Sequence, residues 1–386
     1  MRKIALFWFG LVVTLLVSLG LIVLFSASQA NSMRLYGNAF HFVKYQSAFV
    51  AAGVVAATCF ALFDYRKWRD HPCLVWLLTA VVIILLLVVF RYPPVNGSRR
   101  WIRLLSLRIQ PAEFAKLAIV FVLSMWLDRA GWRVELIGRG AFVPALIIGA
   151  FALPILLEPD FGSVMVIGLV GFIVMFVGGV RILHMLPFGI LGAGVVVYKV
   201  ATNANRMARI AAFLGIKLDI GADVVDAAAE RAAYQAHQAL VAIGNGGIWG
   251  VGMGQSMQKH YYLPEAHTDF IFAIGAEELG LLFSIAVILL YCAFFALSVY
   301  IARKSTDRFG RLLVLGMSVI IFFQAMFNIG VVCEALPTKG MALPFFSYGG
   351  TNMLSSFIAI GTIFSVGFHS YRDGKRSLAR KVLMRA

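Results

Sequence analysis

The chain is a succession of apolar runs of roughly 17 to 25 residues, the length a helix needs to cross the hydrocarbon core of a bilayer. The clearest fill residues 5–25, 43–63, 73–90 and 312–332. Less uniform ones fill residues 111–127, 141–157, 162–180, 186–198, 269–301 and 352–369. Inside lipid every backbone N–H and C=O must find a partner within the protein, which only helices and closed barrels achieve. The short alternating strands of a barrel are missing from the pattern. The sequence therefore predicts an all-α, polytopic membrane protein of about ten transmembrane helices. Its 61% hydrophobic and 13% charged residues exclude an ordinary soluble domain. The first run lacks the small-residue cleavage pattern of a signal peptide and is expected to remain as the first span. Residues 1–386 read as a single transmembrane domain.

Basic residues concentrate in the cytoplasmic loops of such proteins. Arg2 and Lys3 at the start, with Arg372, Lys375, Arg376, Arg380 and Lys381 in the tail, place both termini in the cytoplasm. In that orientation Arg99, Arg100, Arg103, Arg108, Lys116 and Lys339 flank outer helix ends, where few cations are expected. Any one of them could simply snorkel to a headgroup. As a set they point to an anionic ligand at the outer leaflet. The net charge of +16 does not argue for nucleic acid, because no nucleic-acid-binding pattern accompanies it and inner-leaflet lipid is itself anionic. Cys59, Cys73, Cys292 and Cys333 show no CxxC or Cys/His ligand spacing and read as small buried hydrophobes.

One connection is far longer than the rest. Residues 201–268, between the seventh and eighth spans, form a large extracytoplasmic loop of a length that usually carries function. It opens with a basic amphipathic piece, residues 205–214. A helical stretch follows at 222–243, with Tyr234, Gln235, His237 and Gln238 on a polar face. The glycine-rich residues 244–254 have no preceding strand and no Gly-Lys-Ser/Thr ending, so they read as a tight turn at the membrane surface rather than a phosphate loop.

Polar motifs interrupt the apolar pattern at several outer positions. Leu263-Pro264-Glu265-Ala266-His267-Thr268-Asp269 stands directly before a span, and ionisable groups so close to lipid are costly enough to mark a working site. Asn96-Gly97-Ser98-Arg99-Arg100-Trp101-Ile102 precedes Gln110-Pro111-Ala112-Glu113-Phe114-Ala115-Lys116, in which Glu113 and Lys116 form an i,i+3 pair. That pair is either a structural tie or part of a ligand site. In Leu157-Glu158-Pro159-Asp160-Phe161-Gly162-Ser163, Asp160 suits a helix cap and, less simply, a metal ligand. Residues 336–351 hold Pro337, Gly340, Pro344, Gly349 and Gly350, too many breakers for a continuous helix. Irregular backbone at membrane depth must line protein or a wet cavity, so this segment, with Ser347, is expected beside Asp269. Glu277 and Glu278 lie roughly 12 to 14 Å farther along the helix and are expected to make interhelical hydrogen bonds.

Taken together and in chain order, six motifs, at residues 97–102, 110–116, 158–163, 234–254, 263–280 and 336–350, resemble the SEDS family (shape, elongation, division and sporulation) of peptidoglycan glycosyltransferases. The Pro264–Asp269 and Pro337–Gly340 stretches look more like the division branch, FtsW, than the elongation branch, RodA. Glu334 before the second stretch, and Thr351-Asn352 after Ser-Tyr-Gly-Gly, depart from the family pattern. The resemblance implies an enzyme that polymerises lipid II, an undecaprenyl-pyrophosphate-linked disaccharide peptide, at the outer face of the bacterial cytoplasmic (inner) membrane. It implies Asp269 as general base. Arg99, Arg100, Glu113, Lys116, Glu265, His267, Lys339 and Ser347 would contact substrate. A divalent cation, Mg or Mn, could assist the leaving diphosphate. The implied partners are a class B penicillin-binding protein transpeptidase and other division or elongation proteins. A lipid II flippase or a non-catalytic division scaffold are the alternatives, although no paired broken-helix repeat of a transporter is visible.

Overall fold

The computed structural model describes residues 2–94, 98–104, 107–214, 223–260, 263–337 and 340–383. The first half comprises α1 (Arg2–Tyr36), α2 (His41–Leu62), α3 (Arg66–Asp70), α4 (Pro72–Val88), α5 (Pro111–Ala130), α6 (Val143–Leu157) and α7 (Phe161–Val177). The second comprises α8 (Ile182–Ala201), α9 (Ala204–Leu214), α10 (Asp223–Gly246), α11 (Ile271–Arg303), α12 (Arg308–Val332) and α13 (Gly350–Leu383). Among the described residues, eight helices are long and apolar enough to cross a membrane: α1, α2, α4, α6, α8, α11, α12 and α13. The other two expected spans are α7, an apolar helix of 17 residues, and α5, which carries Glu113, Lys116, Asp128 and Arg129. The chain is a multi-pass, all-α membrane protein.

Helix α5 carries these charges because α4, α6, α7, α12 and α13 pack around it. Ala112, Ala115 and every residue from Leu117 to Leu123 are buried there, so Glu113 and Lys116 face the bundle rather than lipid. Pro111 occupies the first turn, where a missing N–H leaves no bond unmade. Asp160 caps α7, accepting from the Ser163 N–H at 3.3 Å and its hydroxyl at 2.8 Å.

The start of α1 and the Tyr371 region of α13 lie at one end of the bundle. The Lys3 ammonium sits over the Tyr371 ring, 5.5 Å from its centroid. Ala5 and Leu6 of α1 share a small cavity with Tyr300, Ile301 and Lys304 at the end of α11 and with Gly367 and Ser370 of α13. Helix α13 thus starts, at Gly350, on the opposite side.

Two features depart from the sequence reading. Strands β1 (Ile102–Leu104) and β2 (Leu107–Ile109) form an antiparallel ribbon with Ile102 opposite Ile109 and Arg103 opposite Arg108. Three-residue strands are too short to register as a periodic pattern. The four cysteines are exposed rather than buried, because an apolar run in a membrane helix supplies the lipid-facing side as well as the core.

The glycine-rich stretch does more than turn. Helix α11 is broken at Gly280, where φ is 76° and ψ −169°. Into that break dock the Val251 and Gly252 N–H groups, each donating at 3.0 Å, to the Glu277 and Glu278 carbonyls. Leu281 N–H returns a bond to the Gly247 carbonyl at 2.9 Å. A Cβ on Gly246, Gly250 or Gly280 would collide with the facing backbone, so glycine is what permits the approach.

Candidate active site

Asp269 lies two residues ahead of α11, in a turn closed on Glu265. The N–H groups of Thr268 and Phe270 donate to the Glu265 carbonyl at 3.0 and 3.3 Å, and the Thr268 hydroxyl donates to Glu265 Oε2 at 2.7 Å. Glu265 adopts the left-handed backbone, φ 57°. From α12, Asn328 Nδ2 donates to the main-chain carbonyls of both Asp269 and Met341, each at 2.7 Å.

The irregular segment 340–349 packs against this turn. Ser347 Oγ donates to the Thr268 carbonyl at 2.6 Å and accepts from Leu343 N–H at 2.7 Å, while Tyr348 N–H donates to the His267 carbonyl at 3.0 Å. Gln46 of α2 braces it from the other side, donating to the Ser347 carbonyl at 3.0 Å and accepting from Gly349 N–H at 3.2 Å. Gly340 sits so close that a Cβ there would lie 2.5 Å from Asp269 Oδ2. His267 and Ser347 therefore hold the two segments together. The His267 ring is 4.9 Å from Phe42, and burial lowers its pKa, with Glu265 pulling the other way.

Charge converges on Asp269 from three other elements. The side chain is half-buried, and its pKa is pushed up to about 6, first by burial and then by the negative charges of Glu265 and Asp160. Arg100, and more weakly Arg209 of α9, pull it down. A helix N-terminus would favour the ionised form; here burial outweighs it. Arg100 also ties the ribbon side to α7: its Nη1 is 4.0 Å from Asp160 Oδ1, and Gln110 Nε2 donates to Asp160 Oδ2 at 3.1 Å. Beside them Glu158 is fully buried, with neither carboxyl oxygen hydrogen-bonded, and its pKa is raised to about 8 by burial first and Asp160 second.

Of the remaining expected site residues, Arg99, Glu113 and Lys116 fall elsewhere. Arg99 turns away, donating from Nη1 to the Phe90 carbonyl at 3.0 Å. Lys116 Nζ is 2.7 Å from Glu113 Oε1, both are buried, and Glu113 also accepts from Asn352 and Ser355 of α13 at 3.3 and 3.1 Å. This pair fastens α5 to α13. Lys339 lies outside the described residues. Sequence reasoning passed over Arg209, Asn328 and Gln46. A polar amide inside an apolar span was the available signal for the last two.

Among the described residues no three His, Cys, Asp or Glu side chains converge as a metal set. The described residues thus form no all-protein cage for a divalent cation, which a magnesium ion held mainly by a diphosphate does not need. What the arrangement offers is a carboxyl whose pKa is pushed up to about 6, under the pull of Arg100 and Arg209, at the bundle end away from the termini.

The same architecture occurs in known proteins. A chain of a peptidoglycan synthase complex, solved in work on the structural coordination of polymerization and crosslinking, superposes with a TM-score of 0.72 at 24% identity, covering 95% of this chain and 98% of that one. A probable peptidoglycan glycosyltransferase FtsW of Trichlorobacter lovleyi is 34% identical over 360 residues, 92% of this chain and 91% of the relative. Stage V sporulation protein E of Bacillus subtilis is 35% identical over 362 residues, 93% and 96%. The FtsW/RodA/SpoVE model, described as cell cycle protein, matches residues 6–372, a span that takes in Asp269, its bracing segment and every helix that positions them. By its sequence as by its fold, the chain belongs to the FtsW/RodA/SpoVE family of cell cycle proteins.

Proposed function

We propose that the protein is a peptidoglycan glycosyltransferase that polymerises lipid II into glycan strands at the outer face of the bacterial cytoplasmic membrane, with both termini in the cytoplasm. The observation that carries the reading is Asp269: a half-buried carboxyl with a pKa of about 6, at the bundle end opposite the termini, with Arg100 and Arg209 acting on it. Relatives named as peptidoglycan glycosyltransferases support the reaction class.

In the reaction, the acceptor sugar's hydroxyl oxygen attacks the donor's anomeric carbon while Asp269 takes the hydroxyl proton. A carboxylate within hydrogen-bond reach and titrating near the working pH suits that task. The bond from the anomeric carbon to the diphosphate oxygen breaks, and undecaprenyl pyrophosphate departs with the electron pair. Arg100 and Arg209 offset the growing negative charge in a site partly closed to water, where fixed cations act most strongly. Glu265, His267 and Ser347 set the turn that aims the carboxyl.

Ser256-Met257-Gln258-Lys259 has the Ser-x-x-Lys spacing, but the Ser-Asp-Asn and Lys-Thr-Gly companions of an acylation set for peptide cross-linking are missing from the sequence, so the strands need a second enzyme, for which a class B penicillin-binding protein is the fitting partner. Likeness to a chain of a complex that coordinates polymerization and crosslinking supports that pairing. The FtsW-named relatives favour the division role.

The test is polymerisation of purified lipid II by the protein in proteoliposomes, with its transpeptidase. Glycan strands are expected from the wild type and none from Asp269→Ala. Strands of normal length and yield from Asp269→Ala would overturn the assignment and direct attention to lipid II transport.

A further inference from the structure

We infer that residues 244–257, part of the long connection between α8 and α11, are seated in the bilayer interface on the side away from the termini, with an apolar rim touching lipid. The segment carries no charged residue. Ile248, Trp249, Val251, Met253 and Met257 are all exposed, Trp249 by 80%. They cannot turn inward, because the backbone between them is bonded to both sides of the α11 break. An irregular segment that holds five large apolar side chains outward must face something apolar.

Two helices place this rim at the level of a membrane surface. Along α11, the rise from Arg303 to Gly280 is about 35 Å. Along α1, the rise from Lys3 to Ser26 is also about 35 Å. The two helices meet at both levels. Their lower ends share the cavity of Ala5, Leu6, Tyr300, Ile301 and Lys304, and at the upper level Ser26 Oγ donates to Glu278 Oε1 at 2.6 Å. With the cations Lys3, Arg303 and Lys304 at one interface and a hydrocarbon core of about 30 Å, the Gly280 break falls at the other.

Lipid is favoured over a protein as the occupant because the rim continues a lipid-facing strip. Leu281, Leu282, Ile285 and Leu289 of α11 are exposed directly below it. Tryptophan is the side chain best suited to the boundary between headgroups and acyl chains. The buried backbone bonds of the clasp also satisfy the requirement that non-helical chain at this depth have its polar groups paired. The long connection would then be anchored at two places, to α11 through hydrogen bonds and to the membrane through Trp249 and its neighbours, immediately before the turn that carries Asp269.

The experiment uses the full chain with its four cysteines changed to alanine, in vesicles of phosphatidylethanolamine and phosphatidylglycerol. A polarity-sensitive dye is attached at Met253→Cys, at Asp70→Cys as a water control, or at Leu289→Cys as a deep control. The Met253 dye is expected to emit to the blue of the Asp70 dye. It should be quenched more by lipid bearing a nitroxide at the headgroup than by lipid bearing one at the chain end, with the order reversed at Leu289. Emission at Met253 matching that at Asp70 would overturn the inference. So would a blue shift that arises only when a second membrane protein is added, which would assign the rim to that protein. In the otherwise native chain, brominated lipid should quench a component of tryptophan emission that Trp249→Phe removes. No such loss would count equally against lipid contact.

Discussion

Asn328 donates a 2.7 Å hydrogen bond to the main-chain carbonyl of Asp269, from the same Nδ2 that reaches the Met341 carbonyl. One buried amide of α12 thereby fixes the spacing between the turn that bears the carboxyl and the segment that faces it. Each carbonyl left without its donor in Asn328→Ala costs about 1–3 kcal/mol. The loss of position should cost more in rate, on the order of 10²-fold for an ångström of displacement. The expectation is a lower thermal midpoint together with a polymerisation rate reduced well beyond what the unfolded fraction explains. A stable variant with unimpaired rate would mean that another contact aims Asp269.

The pH dependence follows from the Asp269 carboxyl, pushed up to about 6. As a base it must be ionised, so polymerisation should be weak near pH 5, rise through pH 6 and level off above pH 7. Arg100 lowers this pKa, so Arg100→Gln should move the midpoint upward, and a rate profile of the two proteins checks it. Stability runs the opposite way. An aspartate in the unfolded chain titrates near 3.9, so between about pH 4 and 6 the folded state holds more protons and loses stability as pH rises. Asp269→Asn should therefore raise the thermal midpoint above pH 6 and make no difference below about pH 4.

Gly340 carries a third prediction. An added methyl there would stand 2.5 Å from Asp269 Oδ2, and because Gly340 is exposed the surrounding core has no need to move. Gly340→Ala should leave the thermal midpoint close to wild type and reduce polymerisation at least tenfold by pushing the carboxyl aside. An equally large drop in midpoint would instead make Gly340 a folding residue.

Much of this was legible in the chain because lipid makes the rules strict. Of the ten expected spans, eight followed from run length as helices long and apolar enough to cross a membrane, and the polar turn ending in Asp269 stood out because charge beside an apolar run is costly. The breakers in residues 336–351 placed that segment against Asp269 for the same reason. Other relations were closed to a linear reading. Glu113 and Lys116 show the same spacing whether they bind substrate or fasten α5 to α13, and only the positions of Asn352 and Ser355 show the fastening. Arg209 comes to act on Asp269 through the fold of the long connection, a separation along the chain that no local pattern encodes.

The deepest test of the fold lies at Lys259, whose ammonium is 2.9 Å from Glu278 Oε1 with both side chains buried. Ser26 Oγ donates to the same oxygen, and the neighbouring Glu277 accepts from the Ser256 hydroxyl, so α1, the glycine clasp and α11 are joined around two carboxylates. Removing one partner of a buried pair strands the other's charge, at about 3–5 kcal/mol, whereas replacing both with apolar residues of similar size is often close to neutral. Lys259→Met should therefore sharply lower the thermal midpoint and loosen the clasp, read as faster amide exchange at Val251 and Gly252. Lys259→Met with Glu278→Leu should recover most of the midpoint, since the cost lies in the unpaired charge rather than in the lost attraction. If the double variant is as unstable as the single one, the pair is holding the Gly280 break in shape through its geometry, and its charge is incidental.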